Sequence, residues 1–70
     1  MIDPDAALFV CESIGITFRN ADGGWYADLP EPDIRFNASR LVGWGLTKTS
    51  CAEGALRCLV YRSEYASAKA

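Results

Sequence analysis

The sequence contains no histidine, and this absence removes both the usual general base and the commonest metal ligand. Triads built on an imidazole are excluded. Cysteine is scarce and poorly spaced: Cys11, Cys51 and Cys58 form an odd set with no close pair, which suits neither a disulfide framework nor a zinc site. Cys51 and Cys58, read as members of one helix, stand about 10 Å apart by its rise per residue, too far to bridge. No cofactor or metal is expected. Gly23-Gly24 and Gly43-Trp44-Gly45 lack the spacings that aim backbone amides at phosphate. Asp28, Glu31 and Asp33 crowd beside a proline turn instead of facing each other across a cleft as a hydrolase pair would. Cys51 at the first turn of a helix has the dipole that lowers a thiol pKa, but no neighbouring base, and reads as a small helix-start residue. The chain therefore shows no catalytic signature, and a non-enzymatic protein is expected. No apolar run approaches the roughly 18–20 residues that cross a bilayer, and Asp3 and Asp5 stand where a signal peptide would be basic. A cytoplasmic protein without membrane partners is expected.

What is present supports a folded module. The 70 residues are 50% hydrophobic and include two Trp, three Tyr and three Phe, far too apolar for a disordered tail. One domain spanning residues 1–70 is expected, because so short a chain closes one modest core. Its stability should be about 3–5 kcal/mol from that core, and homodimerisation would be a remedy.

Asp3-Pro4-Asp5 opens a helix, with Asp3 as N-cap and Pro4 at the first helical position. Leu8, Cys11 and Ile14 make its apolar stripe, widened by Phe9 and Val10, and Gly15 closes it. The period then changes to two, with Ile16 and Phe18 facing one way and Thr17 and Arg19 the other. A loop at Asn20-Ala21-Asp22-Gly23-Gly24 and an alternating run from Trp25 to Leu29 complete a β-hairpin, which Pro30-Glu31-Pro32 terminates. Ile34-Arg35-Phe36 reads as a third extended run. Arg40 to Leu46 reads either as a fourth strand, with Val42, Trp44 and Leu46 on one face and Gly43 and Gly45 leaving room beside the indole, or as a helical turn capped by Asn37. Ser50 and Glu53 have the form of a capping box. The helix that follows should run to about Tyr65, with Ala52, Ala55, Leu56, Leu59 and Val60 buried, Cys58 at the border, and Ser67 to Ala70 frayed. The fold class is α+β: a short N-terminal helix, an antiparallel three- or four-stranded sheet, and a C-terminal helix packed on one sheet face.

Charge is divided along the chain. Through Asp33 there are seven acids (Asp3, Asp5, Glu12, Asp22, Asp28, Glu31, Asp33) against Arg19 alone. Beyond it are six bases (Arg35, Arg40, Lys48, Arg57, Arg62, Lys69) against Glu53 and Glu64. Such asymmetry speaks to partners. Asp22, Asp28, Glu31 and Asp33 would steer a protein with a basic surface, and Trp25 and Tyr26 beside them would anchor it. Arg57, Tyr61 and Arg62 make a basic, aromatic flank on the last helix, suited to phosphates and bases. A small nucleic-acid-binding module is thus an alternative, although a pI near 4.8 disfavours direct nucleic-acid contact.

Two resemblances sharpen this. The stretch Asp22-Gly23-Gly24-Trp25-Tyr26-Ala27-Asp28-Leu29-Pro30-Glu31, followed by Gly45-Leu46-Thr47 and by Ser50 to Leu56, resembles HicB antitoxins, which neutralise a small RNA-cleaving toxin. By size, acidity and lack of an active site, the chain also resembles phage anti-CRISPR proteins, which bind Cas subunits and block their nucleic-acid sites. Both imply a stoichiometric inhibitor of a nucleic-acid-handling protein. The anti-CRISPR kind is the preferred expectation and the antitoxin the alternative.

Overall fold

A computed structural model describes residues 3–32 and 40–69. The elements run α1 (Pro4–Ser13), β1 (Thr17–Ala21), β2 (Gly24–Asp28), β3 (Leu41–Gly45) and α2 (Lys48–Lys69). The three strands form one antiparallel sheet in the order β1-β2-β3. Helix α2 packs on β3 and β2, and α1 packs against α2, so the expected α+β architecture is present. Ile34-Arg35-Phe36 and Asn37 lie outside the described residues. Arg40 to Leu46 contains a strand, the first of the two readings.

Helix α1 starts as its sequence dictates. The Asp3 carboxylate accepts the Asp5 amide at 2.9 Å, and proline occupies the first turn. At the other end Gly15, with φ +90, closes a Schellman motif. Its amide donates to the Glu12 carbonyl at 3.1 Å, and the Ile16 amide donates to that of Cys11 at 3.0 Å. The buried stripe is narrower than periodicity suggested: Ala7 and Cys11 are inside and Leu8 is half-buried, whereas Phe9, Val10 and Ile14 are exposed. The reason is that α1 meets its main neighbour, α2, along one ridge, which leaves the rest of its circumference uncovered.

The hairpin is tighter than the five-residue loop expected. Ala21 pairs with Gly24, so the turn is Asp22-Gly23 alone, with φ of 53 and 78. Positive φ at both central positions is the type I′ geometry that matches strand twist. Across β2 and β3 the pairing runs Trp25 to Gly45, Tyr26 to Trp44 and Ala27 to Gly43, then shifts so that Asp28 meets Leu41. Val42 is the extra residue of this bulge, and it is buried. Trp44 and Leu46 do not share its buried face: they are 52% and 72% exposed. Gly43 and Gly45 face α2 instead, because a Cβ at Gly43 would lie 2.9 Å from the Ala55 nitrogen and the Cys51 carbonyl oxygen. The glycine that makes room for the indole is Gly24, where a Cβ would meet Trp44 Nε1 at 2.8 Å.

Helix α2 begins three residues earlier than Ser50 as N-cap would place it. Thr47 is the cap: its Oγ1 accepts the Ser50 amide at 3.1 Å, and Ser50 Oγ accepts the Thr47 amide at 3.2 Å. Threonine and serine thus exchange the bonds assigned to Ser50 and Glu53. The helix continues to Lys69, past Tyr65. Its 22 residues span about 33 Å by the rise per residue, roughly twice the ~17 Å of a five-residue strand. Cys51, Ala52 and Ala55 are fully buried under the sheet, and Leu56, Cys58 and Leu59 are half-buried. Val60, expected inside, is 55% exposed, whereas Leu59 before it and Arg62 after it are half-buried, so the packed stripe of α2 passes to one side of it.

The core is made of small side chains. Its buried hydrophobic members are Ala7, Cys11, Ile16, Ala27, Val42, Cys51, Ala52 and Ala55, and only Ile16 and Val42 are branched aliphatics. Alanines and glycines facing one another let α2 approach the sheet closely. Many larger apolar residues are displaced outward: Phe9 and Val10 on α1, Ile14 at its C-cap, Val60, Tyr61 and Tyr65 on α2, and Leu41 and Trp44 on β3, while Leu8, Phe18, Trp25, Leu29, Leu56 and Leu59 pack half-buried against the core. Among the described residues, no helix is long and apolar enough to cross a membrane.

Candidate functional site

Side chains alternate across a strand, and this alternation divides the residues singled out in the sequence. Trp25 points toward α2. It is half-buried against the core, with Lys48 Nζ 5.8 Å from its ring centroid and 5.5 Å from that of Phe18. Tyr26 points to the opposite face, so the two aromatic residues cannot form one anchor. Asp28 shares the outer face with Tyr26 and is engaged: Arg19 Nε donates to its Oδ2 at 2.9 Å. The same guanidinium lies 4.7 Å from the Tyr26 centroid. Asp22 stands exposed at the hairpin tip and Glu31 exposed in the proline turn. Asp33 lies outside the described residues.

The register brings a different set together. Arg19 pairs with Tyr26, and Tyr26 with Trp44, so one row across three strands carries a guanidinium, a phenol and an indole on the face away from α2. Asp28 and Leu41 form the next row. The sequence grouped Trp44 with Val42 and Leu46 on one face and did not single it out as a surface residue. The signal was present in the glycines, since Gly43 and Gly45 on one side of the strand are what a closely packed helix requires.

The basic flank is partly assembled. Arg57 and Tyr61 are exposed and one turn apart on α2, and Tyr61 stacks on Tyr65 with centroids 6.3 Å apart and planes 24° apart. Arg62 is half-buried, around toward the packed side.

Among the described residues, no acid of the first half forms an ion pair with a base of the second half. The one ion pair among the described residues joins Arg19 to Asp28, both from the acidic segment. Asp5, Glu12, Asp22 and Glu31 form none with a described base. Among the described residues, no cluster of three metal-binding side chains occurs.

The thiols are shielded. Burial pushes the Cys11 thiol up, aided by the Glu12 charge. Burial pushes Cys51 up too, aided by Cys11 and Asp28, and outweighs the helix dipole that would lower it. Both stay protonated in the fold when an exposed thiol would ionise. A raised thiol pKa stabilises the fold fully below the unfolded value, and this contribution is lost as pH rises toward the folded one. Titration with an aromatic disulfide at pH 8 should therefore label half-buried Cys58 fast, and Cys11 and Cys51 only as fast as the chain opens. Three equally fast thiols would contradict this burial.

Comparison with family models, curated proteins and solved structures found no match for this chain.

Proposed function

We propose that this protein works by binding, without turnover, as an inhibitor of a nucleic-acid-handling protein of the kind phage anti-CRISPR proteins exemplify. Its acidic surface would occupy a basic site that otherwise holds nucleic acid. The observation that carries this reading is the uncompensated charge: Asp22 and Glu31 are exposed and unpaired among the described residues. Free carboxylates attract a cationic surface over about a Debye length, ~8 Å at physiological salt. The outward placement of large apolar residues supplies contact area that the thin core does not use.

A HicB-like antitoxin is the second reading. It is favoured by the Thr47 cap directly after Gly45 and Leu46, the step from strand to capped helix that forms the second part of that resemblance. A gene for a small ribonuclease beside this one would favour the antitoxin, and neighbouring phage structural genes the anti-CRISPR kind.

The test is affinity capture from bacterial lysate with the native chain and with Asp22→Lys/Glu31→Lys, read by mass spectrometry. Asp28 is left alone, because its loss would free Arg19. The native chain should recover a nucleic-acid-binding protein, and the variant should associate about tenfold or more slowly when the pair is purified. Equal association by both chains would remove the acidic surface from the mechanism.

A further inference from the structure

We infer that Trp44 seats an arginine side chain of the partner protein, stacked on the open side of the indole with the Asp22 carboxylate as its counter-ion. This rests on the reading of the chain as a binder of a basic surface and names what that surface must offer.

One side of the indole lies on Gly24, where a Cβ would come within 2.8 Å of Nε1. The residue remains 52% exposed, which leaves room for a planar group on the part of the indole that Gly24 does not cover. Asp22 is two residues from Gly24, at the tip of the type I′ turn. It is exposed and has no ion pair among the described residues.

The same face already holds such an arrangement within the chain. Arg19 sits 4.7 Å from the Tyr26 centroid and 2.9 Å from the Asp28 carboxylate, and Tyr26 is the direct cross-strand neighbour of Trp44. Phe18 and Trp25 have Lys48 over them. Trp44 has no cation of its own among the described residues. Indole is the best of the aromatic platforms for a cation. A planar guanidinium both stacks on it and presents a fork to a carboxylate, which an ammonium cannot do.

The test follows tryptophan emission of the full chain during titration with nona-arginine, nona-lysine or an oligothymidylate. Trp44→Phe removes the reporter, and Asp22→Asn removes the counter-ion while keeping a residue that accepts positive φ. Circular dichroism checks that both variants are folded. Nona-arginine should quench more than nona-lysine, the Trp44→Phe chain should lose that component, and Asp22→Asn should weaken binding about threefold or more. Equal responses to the two peptides, or no effect of Asp22→Asn, would overturn the inference. Quenching by oligothymidylate would make the face a base-stacking platform, and concentration-dependent self-association that shields Trp44 would give the seat to a second copy; either result also overturns it. A captured partner that still needs Asp22 and Glu31 but ignores Trp44→Phe would leave the proposed function standing without this seat.

Discussion

Replacing Gly45 with alanine is expected to bring the protein to the edge of unfolding at room temperature. The added Cβ would lie 2.6 Å from the Cys51 nitrogen and press on Ser50 Oγ. The obstacle is backbone in the first turn of α2, which no rotamer change can clear. The helix would have to lift away from β3, and with it the contacts of Cys51, Ala52 and Ala55. A cost of about 3 kcal/mol, the upper end of ordinary overpacking, removes most of the ~3–5 kcal/mol a core of this size supplies. Gly43→Ala should behave alike, since its Cβ would strike the Ala55 nitrogen and the Cys51 carbonyl. Gly23→Asn is the control: nothing lies within 4 Å of a Cβ there, and asparagine accepts the positive φ of the turn. Urea unfolding followed by circular dichroism measures all three. An unchanged midpoint for Gly45→Ala would mean that α2 and β3 do not pack so closely.

Ile16→Ala should be nearly as damaging, for the opposite reason. Ile16 is 4% exposed and stands between the Schellman motif of α1 and the first strand, so its side chain fills space where helix and sheet meet. The fully buried members around it are chiefly alanine and cysteine, which are too short to fill the gap, while the larger Leu8, Phe18, Trp25, Leu29, Leu56 and Leu59 pack only from the margin of the core. Truncating a buried isoleucine costs about 2–5 kcal/mol, rising with the cavity left behind. A loss of about 3 kcal/mol lowers the folding equilibrium constant by more than about a hundredfold. Leu46→Ala supplies the contrast. That side chain is 72% exposed, and its removal should move the unfolding midpoint by within about 0.5 kcal/mol, as at an ordinary surface position. Equal midpoints for Ile16→Ala and Leu46→Ala would contradict the position of the core.

These two substitutions explain why periodicity read some segments well and others poorly. Asp3, Pro4 and Gly15 set the limits of α1 through local hydrogen bonds, and Asp22-Gly23 turns the hairpin because both positions accept positive φ. Such features need only near neighbours. The facing of β3 is different in kind. A Val-x-Trp-x-Leu alternation suggests a buried stripe, yet the helix laid across the strand approaches too closely for any side chain at Gly43 or Gly45, and a bulge at Val42 shifts the alternation. Trp44 is thereby turned outward into the row of Tyr26 and Arg19. Thr47 in place of Ser50 as the cap follows from the same step, since the chain enters α2 immediately after the glycine that touches it.

The candidate surface divides in the same way. The excess of acid in the first half is a property of composition, and Asp22 and Glu31 are exposed in turns at the margin of the sheet. Whether an aromatic residue accompanies them depends on strand register, which separates Trp25 from Tyr26 and places Trp44 beside the latter. Local chemistry along the chain therefore determined the cap and the end of α1, the Asp22-Gly23 turn and the charge balance of the two halves, because each depends on contacts only a few residues apart or on none. Tertiary structure decided which large apolar residues stay outside, because that depends on how closely two backbones distant in sequence can approach, and alanine and glycine at their contact let them come very near.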